Sequence, residues 1–590
     1  MSTTSQVVAL AQRIAAEIKA IRPASGKRAV GKDELVFNVL DYGAKSDTTS
    51  TATPGTDNYA AIQAALDACG AAGGGTVYIP AGPPGSWYHL NASGPLRIRH
   101  NTWIRADKGA TIRKISGACF SFYVWAASQT GYGSGASNCR VTGLRFYGGF
   151  ESGNIYAPFV FNNAENIIIE NCVFDQTQGS YHCMDIQGSR NVTIRNCDFL
   201  GMASGSNETA ECLQIDLSVT GSSTTQDTLG SYSGLMCKDI TVENCRFLPV
   251  TIGATEHPCP NPIGSHIRGE AKFHEGIRFI NNLIVDPCTT APPTDGDNTG
   301  YASGTIHLPA VKRATISGNI FRQTVAGRST RLLSFHNINT GGYAANDPNS
   351  TTGGSGTFSP AMICEDIKIT NNVFDGFGGS TAQQETIWLN GLSGGDYMRR
   401  VTISGNTFAN GWVGAGSDVV KGACIGCRYV DGLAITDNDF TSVHMGANLT
   451  TSYRVRVVGN SFQDIGSLAC YLNYVGSATV NGNSVFDCGR GLVVGNSTDT
   501  AISGNTILSP KAGATPSAAQ VGVAAIGASK RVTVSGNTVS QDGANLAGPA
   551  VLLDTAVTLS LAVGNNANGF TTKYTPNNGT TGTRTVTTNI

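Results

Sequence analysis

The chain has 590 residues, a formal net charge of −1, only 14% charged residues and 73 glycines. This length suits several ordinary domains or one long solenoid. Its near-neutral balance gives no overall basic field for nucleic acid, and no run of about 18 apolar residues marks a helix across a membrane. Sixteen cysteines are too few in a chain this long to build a disulfide scaffold.

Residues 1–34 stand apart. Val7, Leu10, Ile14, Ile18 and Ile21 mark one helical face, and Pro23 ends it. Such a short helix is marginal alone, so it is expected to pair with copies of itself or with another protein. The apolar stretch Val7–Leu10 is too short for a secretory signal and is soon followed by Arg13, Glu17 and Lys19. In residues 35–90, Asp57 is a predicted N-cap. Ala61, Ile62, Ala65, Leu66 and Cys69 form one stripe, and Gly70 is a predicted stop. This helix is expected to plug an exposed sheet edge.

From there a short pattern recurs: VTIRNCDF ending at Phe199, ITVENCRF at Phe247, IKITNNVF at Phe374, VTISGNTF at Phe408 and VRVVGNSF at Phe462. Period-two alternation makes each unit a strand, and repeats at about 33 residues mean stacked units that cannot bury their apolar faces alone. Two residues before each Phe slot lies Cys172, Cys197 or Cys245, then Asn282, Asn319, Asn372, Asn406, Asn438, Asn460, Asn483, Asn505 and Asn537. These read as structural ladders, with Cys as a small buried hydrophobe and Asn amides bonding coil to coil.

The segments FNVLDYGAKSD (37–47) and DNYAAIQAALDACGAAGGGTVYIPAG (57–82), with the repeats, resemble the pectate lyase-like superfamily. The resemblance covers roughly residues 35–560. It implies an all-β, single-stranded right-handed parallel β-helix at 91–560, a cap at 35–90 and a tail or clasp at 561–590. Relatives of this type include polysaccharide lyases, hydrolases, epimerases and phage tailspikes. The segment TSQVVALAQRIAAEIKAIR is similar to the start of phage minor tail proteins. It implies a homotrimer attached to other tail or baseplate proteins through residues 1–34, acting outside the cell on a host surface polysaccharide.

The long intervals between Phe slots lie between 199 and 374, so the site is expected within about 180–390, on loop-bearing corners. There a second strand follows each Phe strand. With Met184, Ile186, Leu213, Ile215, Leu217 and Ile267 inward, alternation turns Asp185, Gln187, Gln214, Asp216, His266 and Arg268 outward. His307, Ser334, His336, Trp388 and Asn390 continue the column. Strands about 4.8 Å apart stack these residues into one face.

Carboxylates and imidazoles suit acid–base steps. Arg suits an acidic sugar, and an indole offers a stacking face. Hydrolysis would use Asp185 and Asp216, with Glu211 as a substitute, because it needs two carboxylates at set spacing. Elimination would use His266 as base and Arg268 as the stabilising cation. Gln187, Gln214, His307, His336, Trp388 and Asn390 would bind substrate, while His182, His257 and His274 read as structural. The Arg-x-Pro-x-x-Arg segment of classical pectate lyases is missing, as is the Arg-Ile-Lys segment of polygalacturonases, which argues against pectin as substrate. Hydrolysis takes precedence over elimination, against a purely adhesive tail protein and a free-standing pectate-lyase-like enzyme. No cofactor is expected. Asp295–Asn298 resembles part of a calcium loop without its later acidic ligand, and Cys424–Cys427 is a lone CxxC with no partner pair for zinc.

Overall fold

The computed structural model describes residues 27–29, 35–50, 53–91, 94–114, 117–122, 131–149, 156–178, 182–202, 211–218, 233–265, 271–287, 304–325, 331–340, 357–377, 385–411, 422–508, 521–541, 549–570, 574–576 and 584–587. The expected helix over Val7–Ile21, the Asp295–Asn298 segment, His266 and Arg268 all lie outside these residues.

Three parallel ladders run the length of a right-handed β-helix. The first holds the alternating Val/Ile/Thr segments, such as Arg190–Arg195 on Lys238–Glu243. The second holds the Phe slots, such as Asp198–Met202 on Arg246–Leu248. The third holds β1 (Met184–Gln187), β2 (Glu211–Asp216), β3 (Asn261–Gly264), β4 (Ile306–Pro309), β5 (Leu333–His336), β6 (Ile387–Asn390) and β7 (Ala423–Arg428).

Two residues connect the first ladder to the second in each coil, and their chemistry explains the repeat motif. The first lies at positive φ, as Asn196 (53°), Asn244 (53°), Gly405 (66°) and Gly459 (69°) do. Asn and Gly tolerate this left-handed conformation. The second is the Cys or Asn of the ladder. Each Asn from Asn319 to Asn565 accepts, at Oδ1, the backbone N–H of the Asn one coil earlier at 2.9–3.1 Å. Its Nδ2 donates to a first-ladder carbonyl, as Asn406 does to Ile369 at 2.9 Å. The tight bend thereby satisfies its buried backbone groups. The Phe slots stack with ring centroids 4.6–5.2 Å apart. No described cysteine is in a disulfide and all are buried, the CxxC pair included.

Helix α1 (Tyr59–Ala71) buries Ile62, Ala65, Leu66 and Cys69 against the first strands. Its N-cap is Asn58, although Asp57 Oδ1 still accepts the Tyr59 N–H at 3.1 Å. The helix runs through Gly70 and ends at Ala71, because Gly73 (φ 84°) supplies the left-handed turn. Strand pairing continues past residue 560. Ser560–Val563 joins the first ladder and pairs Arg584–Thr587, so stacking extends into the segment expected to be a tail.

The longer connections all border the third ladder. They enter β2, β4, β5, β6 and β7 or leave β2, β3 and β5.

Candidate functional site

Register across the third ladder aligns Asp185, Gln214, Gly264, His307, Ser334, Trp388 and Gly426 in one row. A second row holds Gln187 beside Asp216, then His336, Asn390 and Arg428. The expected column is present with one correction. Gly264, not His266, stands between Gln214 and His307, because Ile263 is the inward residue paired with Leu213 and Ile306. His266 and Arg268 themselves lie outside the described residues.

The rows do not form an open floor. Exposure is 5% for Asp185, 0% for Asp216 and Glu211, and 2% for His307. Buried carboxylates need partners, and the two glutamines supply them. Gln187 Nε2 donates to Asp185 Oδ1 at 3.1 Å, and Gln214 Nε2 donates to Asp216 Oδ2 at 2.5 Å. Each glutamine Nε2 thereby gives one of its two N–H groups to an aspartate. The aspartates occupy one diagonal of a two-strand block and the glutamines the other. One strand spacing and two residues of rise put the aspartate Cα atoms about 8 Å apart.

Asp216 is fixed further from a coil above. Cys237 N donates to His274 Nδ1 at 3.1 Å, which leaves the proton on Nε2. That nitrogen donates to Ser265 Oγ at 3.2 Å, and Ser265 donates to Asp216 Oδ1 at 3.1 Å. Burial holds His274 neutral, its pKa lowered to about 4.

Glu211 lies between two imidazoles. His182 Nδ1 is 2.7 Å from its carbonyl oxygen and 4.0 Å from Oε1, while His307 Nε2 is 3.7 Å from Oε2. His307 reaches Glu211 across the intervening coil because Gly264 has no side chain. A Cβ there would stand 2.2 Å from the imidazole ring.

Cations gather at the other end. Arg428 Nε donates to Asn390 Oδ1 at 2.6 Å, which turns the Asn390 Nδ2 donor toward His336 Nδ1 at 3.2 Å. His336 Nε2 then donates to Ser334 Oγ. The guanidinium carbons of Arg331 and Arg428 lie 5.2 and 5.5 Å from the Trp388 ring centroid, and buried Arg331 pairs with Glu385 at 2.8 Å. Trp388 is thus an aromatic partner for cations before any sugar arrives. It, His336 and Arg428 are half-buried, in contrast to the carboxylate end.

Sequence reasoning missed Arg428, Arg331, Glu385 and Ser265, and it set His182 and His274 aside. Extending the alternation by one coil would have found Arg428. Nothing in the local pattern marks Arg331, Glu385 or Ser265, which sit at strand ends.

A family model described as "Periplasmic copper-binding protein (NosD)" matches residues 349–541, about a third of the chain. Mannuronan C5-epimerase AlgE3 of Azotobacter vinelandii is 38% identical over 123 residues, 19% of this chain and 6% of that enzyme. The surface adhesin PfbA of Streptococcus pneumoniae superposes with a TM-score of 0.52 at 18% identity, covering 73% of this chain and 98% of PfbA. The tailspike protein of Escherichia coli bacteriophage HK620, solved with a pentasaccharide, gives a TM-score of 0.46 at 14% identity, covering 94% and 84%. Within 349–541 the described residues do not fit a copper site. His444 is the one histidine there, the described thiols are buried, and burial pushes Cys364 and Cys427 up to about 12. Among the described residues, no three His, Cys, Asp or Glu side chains gather around a metal-sized space.

Proposed function

We propose that this chain, which has the pectate lyase-like right-handed parallel β-helix fold, binds an acidic cell-surface polysaccharide along the third ladder and cleaves it. The observation that carries the reading is the polarity of that ladder. Three carboxylates lie at β1 and β2, imidazoles at β4 and β5, and guanidinia with an indole from β5 to β7. An acidic glycan lying across the coils would meet Arg428 and Trp388 at one end, with Arg428 pairing a sugar carboxylate. Its scissile bond would lie toward Asp185 and Asp216. Side chains reaching across a Cα diagonal of about 8 Å can meet either the roughly 5–5.5 Å carboxyl separation of retaining hydrolases or the roughly 6.5–9.5 Å of inverting ones. One aspartate would protonate the leaving oxygen while the other activates water. Residues 1–34 would attach the chain as a homotrimer to other phage tail proteins, supported by the resemblance of that segment.

A second reading is favoured by the Glu211–His307 pair and the epimerase likeness. Here a base removes the proton beside a uronate carboxylate, and elimination follows. The test is to incubate purified protein with capsular and wall polysaccharides, following reducing ends together with absorbance near 235 nm. Reducing ends alone support hydrolysis, with Asp216→Asn expected to abolish cleavage and retain binding. Reducing ends with absorbance move the chemistry to Glu211 and His307. Binding without either signal sinks cleavage for the sugars tested and leaves an adhesin.

A further inference from the structure

On the second ladder of the first coils, far along the chain from the carboxylates, lies a cleft of about 620 Å³. Pro83 and Pro84 form part of its wall, and Trp87, Tyr147, Lys108 and Arg145 also line it. The Trp87 and Tyr147 ring centroids are 6.1 Å apart at 52°. Beneath them the buried Arg113 guanidinium lies 5.5 Å from the Trp87 ring and 5.2 Å from the Tyr147 ring. Trp87 Nε1–H is buried and has no acceptor among the described residues, a cost that a bound acceptor would relieve.

Among the described residues, no carboxylate lines the cleft. Asp175 and Asp107 beside it are committed, Asp175 to Arg145 and Asp107 to Tyr78 Oη at 2.7 Å and Ala81 N at 3.2 Å. Lys108 is exposed.

We propose that this cleft is a second, non-catalytic carbohydrate site for an acidic saccharide unit. A sugar ring would stack on Trp87 and Tyr147. Its hydroxyl or ring oxygen would accept the Trp87 N–H, and its carboxylate would face Lys108. The cleft shares no residue with the third-ladder site, so the proposal stands whether or not that ladder cleaves.

The test uses the full chain on an immobilised array of uronate-, sialate- and phosphate-bearing oligosaccharides, with neutral oligosaccharides as control. An Asp216→Asn/Arg428→Ala background removes both the third ladder's proposed cleavage and its proposed contact with a sugar carboxylate. Expected is binding to acidic members, weakened at least tenfold by Trp87→Ala and less by Trp87→Phe, which keeps a ring and loses the N–H. Lys108→Glu, a surface change that leaves packing intact, is expected to weaken acidic ligands and spare neutral ones. Acidic binding unchanged in both Trp87→Ala and Lys108→Glu would overturn the proposal, as would a wild-type chain that binds no acidic member. If cleavage fails while this binding holds, only the reading of the third ladder falls.

Discussion

Gly264→Ala isolates the contact that joins β2 to β4. The backbone of Gly264 lies outside the left-handed region, so alanine meets no conformational penalty there and the effect is steric. A Cβ would stand 2.2 Å from His307 Cε1 and Nε2 and 2.7 Å from Nδ1. Ordinary carbon contacts begin near 3.5 Å, so the ring must retreat by roughly 1 Å. It has little room, being 2% exposed and tied through Nδ1 to Gly304 O at 3.2 Å. Overpacking of this kind costs about 1–3 kcal/mol. A shift of about 1 Å at a reacting group can cost on the order of 10²-fold in rate. Urea unfolding gives the first quantity, and product release from a cleaved polysaccharide gives the second. His307→Ala added to Gly264→Ala should recover part of the overpacking cost, a non-additive pair in a double-mutant cycle. Unchanged stability in Gly264→Ala would refute the packing argument. Unchanged cleavage alongside reduced stability would remove the Glu211–His307 pair from the chemistry.

Asn438→Ala should lower stability by about 2–4 kcal/mol in urea unfolding. It strips the Asn406 N–H of its acceptor and the Ile403 carbonyl of a donor, both buried. His274 gives a pH signature. Its folded pKa near 4 lies below the unfolded value of about 6.5, so the unfolded chain binds more protons between these values and stability falls as pH drops from 6.5 toward 4. The full effect is about 3 kcal/mol, and His274→Gln should flatten the stability–pH slope in that window. Arg428→Ala should weaken binding of acidic polysaccharide several-fold in a sedimentation or surface-binding assay, with less effect on a neutral one. The described thiols should react with a disulfide reagent only on unfolding, since burial pushes Cys139 and Cys237 up to about 12. A Cys288→Ser chain removes the one cysteine outside the described residues from that assay.

The sequence by itself determined the solenoid, its Phe stack, its Cys and Asn ladders and the inward–outward alternation of each strand. These depend on neighbours a few residues apart and on a repeat that every coil enforces on the next. It also located the band of the chain that carries Asp185, Asp216, Glu211, His307 and Trp388. Only the tertiary structure decided what those residues touch. Gly264 replaced His266 in the row because register is set by which apolar residue of a coil meets the one beneath, and Ile263 and Ile267 share the same parity. Gln187 and Gln214 hold aspartates, and Glu211 meets His307 across an intervening coil. The chain Cys237–His274–Ser265–Asp216 joins residues up to 58 positions apart. Such contacts form between coils whose spacing in sequence varies with every inserted connection, so no local period announces them.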